Sequence, residues 1–327
     1  MLSNSTEMEG TAKQGAWLLR RVALPLLVAL LALGFVGMST GLASSSASLH
    51  PAVVSTQQAD AAPALSVYNA TVYIGWTGRN AAHNLNLMTY DQTSQTFGPT
   101  VVLTDTTLVG AGPSLAIFNG NLAVAWMGTD HRLNLGFYKP GDPTHLANKV
   151  TLSETSNNAP SIVTFNGRLY LSWRGTDGRL NIISSADAKT FNTKVTYNIS
   201  VTTSPTLQTA DGVLFLAWED TSASSHIVFA QYNPSNPATL NAVVTTTSTS
   251  TLPVSLFTAG VAAPDLRVAW TASDAHINLG IYEGDQTLHN TVTTTQTSPY
   301  GPALYVPYLS WTGTDAAQSV NISQVNF

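Results

Sequence analysis

The chain has 327 residues, of which only 9% are charged, with a formal net charge of −5 and no cysteine. Ordinary globular proteins carry about 25% charged residues, so this surface is nearly neutral and rich in hydroxyls and amides. That composition excludes a disulfide framework and thiolate chemistry, and it supplies no basic patch to neutralise phosphates, so no nucleic-acid partner is expected.

The N-terminus has the marks of an export element. Arg20 and Arg21 precede an uncharged apolar run at residues 22–43, and small residues crowd positions 41–47. Positive flank, apolar core and small residues in that order match a secretory signal. The run is also long enough to span a bilayer as an anchor. It is read as a hydrophobic helix within residues 1–48, either cleaved or retained. Both readings put the rest of the chain outside the cytoplasm, secreted or at the cell surface, touching membrane only through residues 22–43. Without Lys13, Arg20, Arg21, Glu7 and Glu9, the remainder keeps 10 basic and 16 acidic residues.

Six tryptophans then recur in six copies of one pattern: Trp76, Trp126, Trp173, Trp218, Trp270 and Trp311, spaced by 50, 47, 45, 52 and 41 residues. A period of 40 to 50 residues signals a stacked or radial repeat fold. In the third copy, residues 161–165 form a short apolar run, Asn166 and Gly167 give the two-residue hairpin signal, and 169–173 alternate apolar with small or polar. Asp177 and Gly178 mark a second turn into 180–184, and 194–198 make a fourth strand. A small residue precedes each tryptophan: Gly75, Ala125, Ser172, Ala217, Ala269 and Ser310. Large on one face and small on the other suits sheets stacked face to face, which makes the rings core residues.

Six such sheets, each covered by the next, close into an all-β, six-bladed β-propeller of four-stranded antiparallel blades. The repeats fall at about 63–112, 113–159, 160–204, 205–252, 253–301 and 302–327, within a domain spanning 49–327. The last copy lacks a fourth strand, and residues 49–57 are placed to supply it and close the ring. A non-closing β-solenoid is the alternative, without a use for that arrangement.

The region from about His50 onward resembles the sialidase-like β-propellers. Ser185, Asp187, Thr190 and Phe191 give a version of that family's Asp-box one residue short, and Thr89, Asp91, Thr96 and Phe97 a looser one. The resemblance implies a structural role for these turns. It also implies a three-arginine carboxylate clamp and a Tyr–Glu nucleophile, but the first arginine's motif is absent here. If the chain is an enzyme of that kind, Tyr300, Glu154, Asp130 and Asp177 are the candidate catalytic residues, with Arg132 or Arg174 beside them.

A related tetrad follows most tryptophans, carrying Asp130, Asp177, Asp274 and Asp315, while Arg79 and Glu219 mark the two departing copies. Asp in such a place is ordinary hairpin-turn chemistry. The functional alternative is a set of polar pockets in which these residues, Arg132 and Arg174, with Asn134, Asn181 or Asn278, bind sugar hydroxyls. Residues 174–180 also resemble the turn of tectonin-type propeller lectins. No metal site is expected, because the turn histidines are spread over four copies, and no cofactor motif is present. The expectation is an exported, monomeric, non-catalytic propeller binding a glycan or other extracellular ligand. An exo-glycosidase and a protein-interaction scaffold are the alternatives.

Overall fold

A computed structural model describes residues 47–327 except 143 and 259–264; the export element of residues 1–46 lies outside the described residues. Among the described residues there is no helix. Two strands, β1 (Ser48–Leu49) and β2 (Val53–Gln58), come first. The first blade holds β3 (Ala64–Tyr68), β4 (Thr71–Thr77), β5 (Asn84–Asp91), and, sharing the outer position, β6 (Thr96–Phe97) and β7 (Val101–Thr106). The second holds β8 (Ser114–Phe118), β9 (Asn121–Met127), β10 (Arg132–Tyr138) and β11 (Ala147–Thr155). The third holds β12 (Ser161–Phe165), β13 (Arg168–Arg174), β14 (Arg179–Ser185) and β15 (Asn192–Ser200). The fourth is β16 (Thr206–Ala210), β17 (Val213–Glu219), β18 (His226–Tyr232) and β19 (Leu240–Thr249). The fifth is β20 (Ser255–Thr258), β21 (Leu266–Thr271), β22 (His276–Tyr282) and β23 (Leu288–Thr297). The sixth is β24 (Ala303–Tyr305), β25 (Tyr308–Thr312) and β26 (Ser319–Asn326), with β1 and β2 paired to the outer side of β26.

Each blade is an antiparallel meander, and the innermost strands neighbour one another in cyclic order from β3 through β24 and back to β3. The outer strands share an irregularity: Asn134 faces Thr151 and Arg132 faces Thr155, so four outer residues span two inner ones. Asn181 with Thr196 and Arg179 with Ser200 repeat it. β2 has the same register, with Val54 opposite Asn321 and Gln58 opposite Ser319. In each case the bulge turns one residue inward, Leu152, Tyr197 and Ser55 among them.

The alternation of large and small residues explains the stacking. All six tryptophans are buried, from 1% exposed at Trp76, Trp173 and Trp311 to 6% at Trp270. Each packs on the preceding blade: Trp126 with Leu85 and Leu87, Trp311 with Ala269, Ile277 and Leu279. The small residue before each tryptophan serves the following blade, as Ala125 does for Trp173 and Ala217 for Trp270. A Cβ at Gly75 would come within 3.2 Å of Leu87 and 3.4 Å of Pro113, so even alanine crowds that seam.

Hydroxyls tie the inner strands, which have no backbone ladder between them. The Ile162 N–H donates to Ser114 Oγ (3.1 Å), Leu207 N–H to Ser161 Oγ (3.0 Å) and Leu304 N–H to Ser255 Oγ (2.8 Å). Thr206 Oγ1 donates to Val254 O at 2.6 Å. The first blade and the sixth carry Ala64 and Ala303 at this register, so both junctions of the first blade lack the stitch. There a threonine bridges one layer out, Thr77 Oγ1 donating to Ala111 O and Thr312 Oγ1 to Ala61 O, both at 2.8 Å, as Thr271 does to Tyr300 O (2.9 Å) beside an intact stitch.

The first hairpin of most blades is a two-residue turn with both central residues left-handed: Asn119 (φ 48°) and Gly120 (φ 72°), Asn166 (φ 47°) and Gly167 (φ 70°), Asp211 (φ 44°) and Gly212 (φ 74°). In the first blade the second of these is Ala70, at φ 59°. A Cβ in that region is disfavoured by roughly 1–2 kcal/mol, partly offset by the freedom glycine adds to the unfolded chain. Ala70→Gly is therefore expected to stabilise the protein by on the order of 0.5–1 kcal/mol in urea denaturation, whereas Gly167→Ala should destabilise it.

Candidate functional site

The turns after the tryptophans share one face with the loops leading into the inner strands. The Val201 N–H donates to Gly178 O (3.0 Å), Ser156 N–H to His131 O (3.0 Å) and Ala59 N–H to Gln318 O (3.0 Å). Each turn is closed by a backbone bond, as from Gly128 N–H to Arg132 O (2.9 Å) and from Gly175 N–H to Arg179 O (2.8 Å). The aspartates reinforce it. Asp130 and Asp177 accept through Oδ1 from the N–H of Arg132 and Arg179 (both 3.1 Å), Asp274 from His276 (3.0 Å) and Asp315 from Ser319 (2.9 Å). At two of the four the bonds favour the carboxylate form. The His276 N–H at Asp274, and the Ser319 hydroxyl followed by its N–H at Asp315, hold those carboxyls below the usual range.

The asparagines expected to complete polar pockets each make one bond at either end of the amide. Asn134, Asn181 and Asn278 donate through Nδ2 to the carbonyls of Arg132, Arg179 and His276. Their Oδ1 atoms accept from Thr151 (2.6 Å), Thr196 (2.5 Å) and Thr293 (2.6 Å). One N–H and one lone pair of each amide are thus spent within its own blade, which leaves the other N–H and lone pair. The glycines follow from the same packing: a Cβ at Gly175 would lie 2.5 Å from Asp177 Oδ1 and 2.8 Å from Asn181 Nδ2. Arg132 and Arg174 are also occupied, each donating through Nε at 2.8 Å, to Leu152 O and Val201 O.

The two departing copies are likewise structural in their contacts. Arg79 reaches from the first blade to the sixth, with Nε 3.1 Å from Asp60 Oδ1 and Nη1 donating to Ala316 O (3.2 Å) and Ala317 O (3.3 Å). His83 Nδ1 lies 3.0 Å from the other Asp60 oxygen. Glu219, expected to bind ligand, is instead fully buried. It stands immediately after Trp218, where other blades put Thr77, Thr271 or Thr312, and joins the fourth blade to the fifth. Thr203 Oγ1 donates to its Oε2, and the Val254 N–H donates to Oε1 at 3.2 Å. Burial pushes this carboxyl up to about 8 against the two hydrogen bonds, so it is mostly neutral at pH 7.

Of the enzyme quartet, Asp130 and Asp177 sit in the turns of the second and third blades, Glu154 on β11 and Tyr300 in the loop leading into the sixth blade. Glu154 on β11 pairs with Lys194 of the third blade, whose Nζ sits 5.5 Å from the Trp173 ring. Tyr300 leads into the sixth blade, where burial first and then Asp60 raise its phenol. Among the described residues, no hydrogen bond or ion pair joins any two of Tyr300, Glu154, Asp130 and Asp177. The central channel, about 360 Å³, is lined by the inner strands and carries no charged side chain. Its repeated prolines, Pro63, Pro113, Pro160, Pro205 and Pro302, each directly precede an inner strand. The sequence reading passed over this signal.

A second cavity lies on the opposite face, between the second and third blades. Its volume is about 530 Å³, and Phe118, Phe137 and Tyr138 give it apolar walls. Asn119, Asn121 and Asn148, Lys139 and Lys189, and Asp187 supply polar groups. Here the Asn119–Gly120 turn, the turn after β10 and the turn after β14 converge. Asp187 is held by its own turn: Oδ1 accepts from Ser185 Oγ (2.9 Å) and from the N–H of Lys189 (2.9 Å) and Thr190 (2.8 Å). Those N–H groups, Thr190 foremost, lower its carboxyl to about 2, so it stays ionised. None of the cavity residues except Asp187 stood out in the sequence, since they belong to turns from different repeats.

No family model matches the chain, and no curated protein matches it. Solved structures do. AofleA from Arthrobotrys oligospora, as a triple arginine-to-alanine mutant, aligns with a TM-score of 0.61 at 8% identity over 86% of this chain and 87% of that one. A protein of unknown function from Dyadobacter fermentans gives 0.62 at 11% identity, covering 86% and 100%. The SapL1 lectin in complex with alpha methyl fucoside gives 0.51 at 11% identity, covering 79% and 88%. The likeness is one of fold. It supports the six-bladed propeller with lectin-like neighbours, while the sialidase family is not shown.

Glu219 gives a test of this bookkeeping of polar groups. Its folded value of about 8 exceeds the ordinary 4.5, so the folded state binds the proton more tightly and stability falls as pH rises from about 4.5 to 8. Glu219→Gln keeps an acceptor for Val254 and removes the titration. Urea denaturation at pH 5 and pH 8.5 should show a smaller loss for the variant than for the wild type. Equal losses would place the titrating group elsewhere.

Proposed function

We propose that the protein is an exported or surface-tethered β-propeller that binds glycan and catalyses no reaction on it. The observation that carries this reading is the cavity between the second and third blades. Its aromatic walls with a few convergent amides and charges are the anatomy of a small-molecule site, and about 530 Å³ suits one or two sugar rings. The uncharged channel favours binding over hydrolysis there, because acid–base chemistry needs titratable groups within reach of one bond. Lectin-like neighbours of the same fold are consistent with this reading. In the exported protein β2 locks the ring by completing the sixth blade, and the domain acts as a monomer.

A glycan array probed with the purified full-length protein is expected to show binding, and Ala147→Trp, which fills the cavity from β11, should abolish it with Tm little changed. Binding that survives this substitution would move the site elsewhere. Release of a fluorogenic glycoside by the wild type, lost in Tyr300→Phe, would overturn the non-catalytic reading.

A further inference from the structure

Of the 10 lysines and arginines beyond residue 44, all but two have a side-chain partner. Arg79, Lys149, Arg179, Lys194 and Arg267 pair with carboxylates. Arg132, Arg168 and Arg174 donate to carbonyl, hydroxyl or amide oxygens. Among the described residues the two left without a partner are Lys139 and Lys189, and both line the one cavity between the second and third blades. They come from different blades, 50 residues apart in sequence, in a domain whose net charge is negative.

Two exposed ammonium groups on residues lining one cavity both gain from an anion held there. Asp187 offsets only one of them, and its Oδ1 is already consumed by three donors. The cavity therefore keeps a surplus positive charge beside the half-buried rings of Phe137 and Tyr138 and the exposed amides of Asn119 and Asn148. Ring walls suit the C–H face of a pyranose, amides suit its hydroxyls, and paired ammonium groups suit an oxyanion on it. We propose that this cavity recognises a sugar carrying an oxyanion, with Lys139 and Lys189 as the groups that select it over a neutral sugar. The proposal rests on the reading of the cavity as a glycan site.

Isothermal titration of the full-length protein with glucuronate, glucose 6-sulfate and glucose tests it. At least one anionic sugar should bind roughly tenfold more tightly than glucose, with the preference shrinking between 50 and 500 mM NaCl as screening grows. Which anion binds better distinguishes a uronate from a sulfate ester. Lys139→Gln/Lys189→Gln should bring the anionic sugars down to the affinity for glucose, with Tm preserved. Lys149→Gln/Arg179→Gln, which removes two charges on residues that do not line the cavity, should keep the preference. Equal affinities in the wild type, or a preference that survives loss of both lysines, would overturn the proposal and leave the cavity a neutral-sugar site. No binding of any of the three by the wild type, on titration and on the array alike, would overturn both readings.

Discussion

Every blade depends on its neighbour to cover a tryptophan. The second strand puts a large ring on one face and a small residue on the other, so a single sheet leaves the ring exposed and its own opposite face too flat to pack. A second sheet relieves one of these faults and creates the same fault one step further on. Only a ring of sheets satisfies all six rings, which is why the inner strands follow one another back to β3. Losing one such ring would cost about 3–5 kcal/mol, a large share of the stability of any domain.

That packing fixes how much polar chemistry is left for function. In the second, third and sixth blades the tryptophan is followed by a turn whose glycine, aspartate and asparagine all bond to the backbone of one residue, Arg132, Arg179 or Ser319. Thr77, Thr271, Thr312 and Glu219 stand directly after their tryptophans and reach the next blade, with different chemistry and the same task. The aspartates and asparagines on the face of these turns thus spend part of their hydrogen-bonding capacity on their own backbone. The opposite face differs. Its turns vary in length and residue type between blades, and where the second and third blades meet they leave a walled cavity and two unpartnered ammonium groups.

The architecture was legible because its signals are local and repeated. The spacing of the tryptophans, their small neighbours and the Asn166–Gly167 turn each state a backbone requirement within a few residues. The site was less legible, for a physical reason. Whether Asp177 is free depends on its own turn's N–H groups, and whether Glu219 is charged depends on its burial and on Thr203 and Val254, in loops leading into the fourth and fifth blades. Lys139 and Lys189 gain meaning only from lying in one cavity while every other lysine and arginine among the described residues finds a partner. The prolines before the inner strands were readable, and the small residues beside them, such as Gly112 against Ala62 O, mark how closely successive blades approach.

The central claim is that ligand sits between the second and third blades while the turns after the tryptophans serve the fold. Hydrogen–deuterium exchange of the full-length protein, with and without a saturating sugar, tests it most directly. The account predicts added protection confined to residues 119–121, 137–140, 147–148 and 187–189. Protection centred on residues 128–132 and 175–179, with those four segments unchanged, would contradict it.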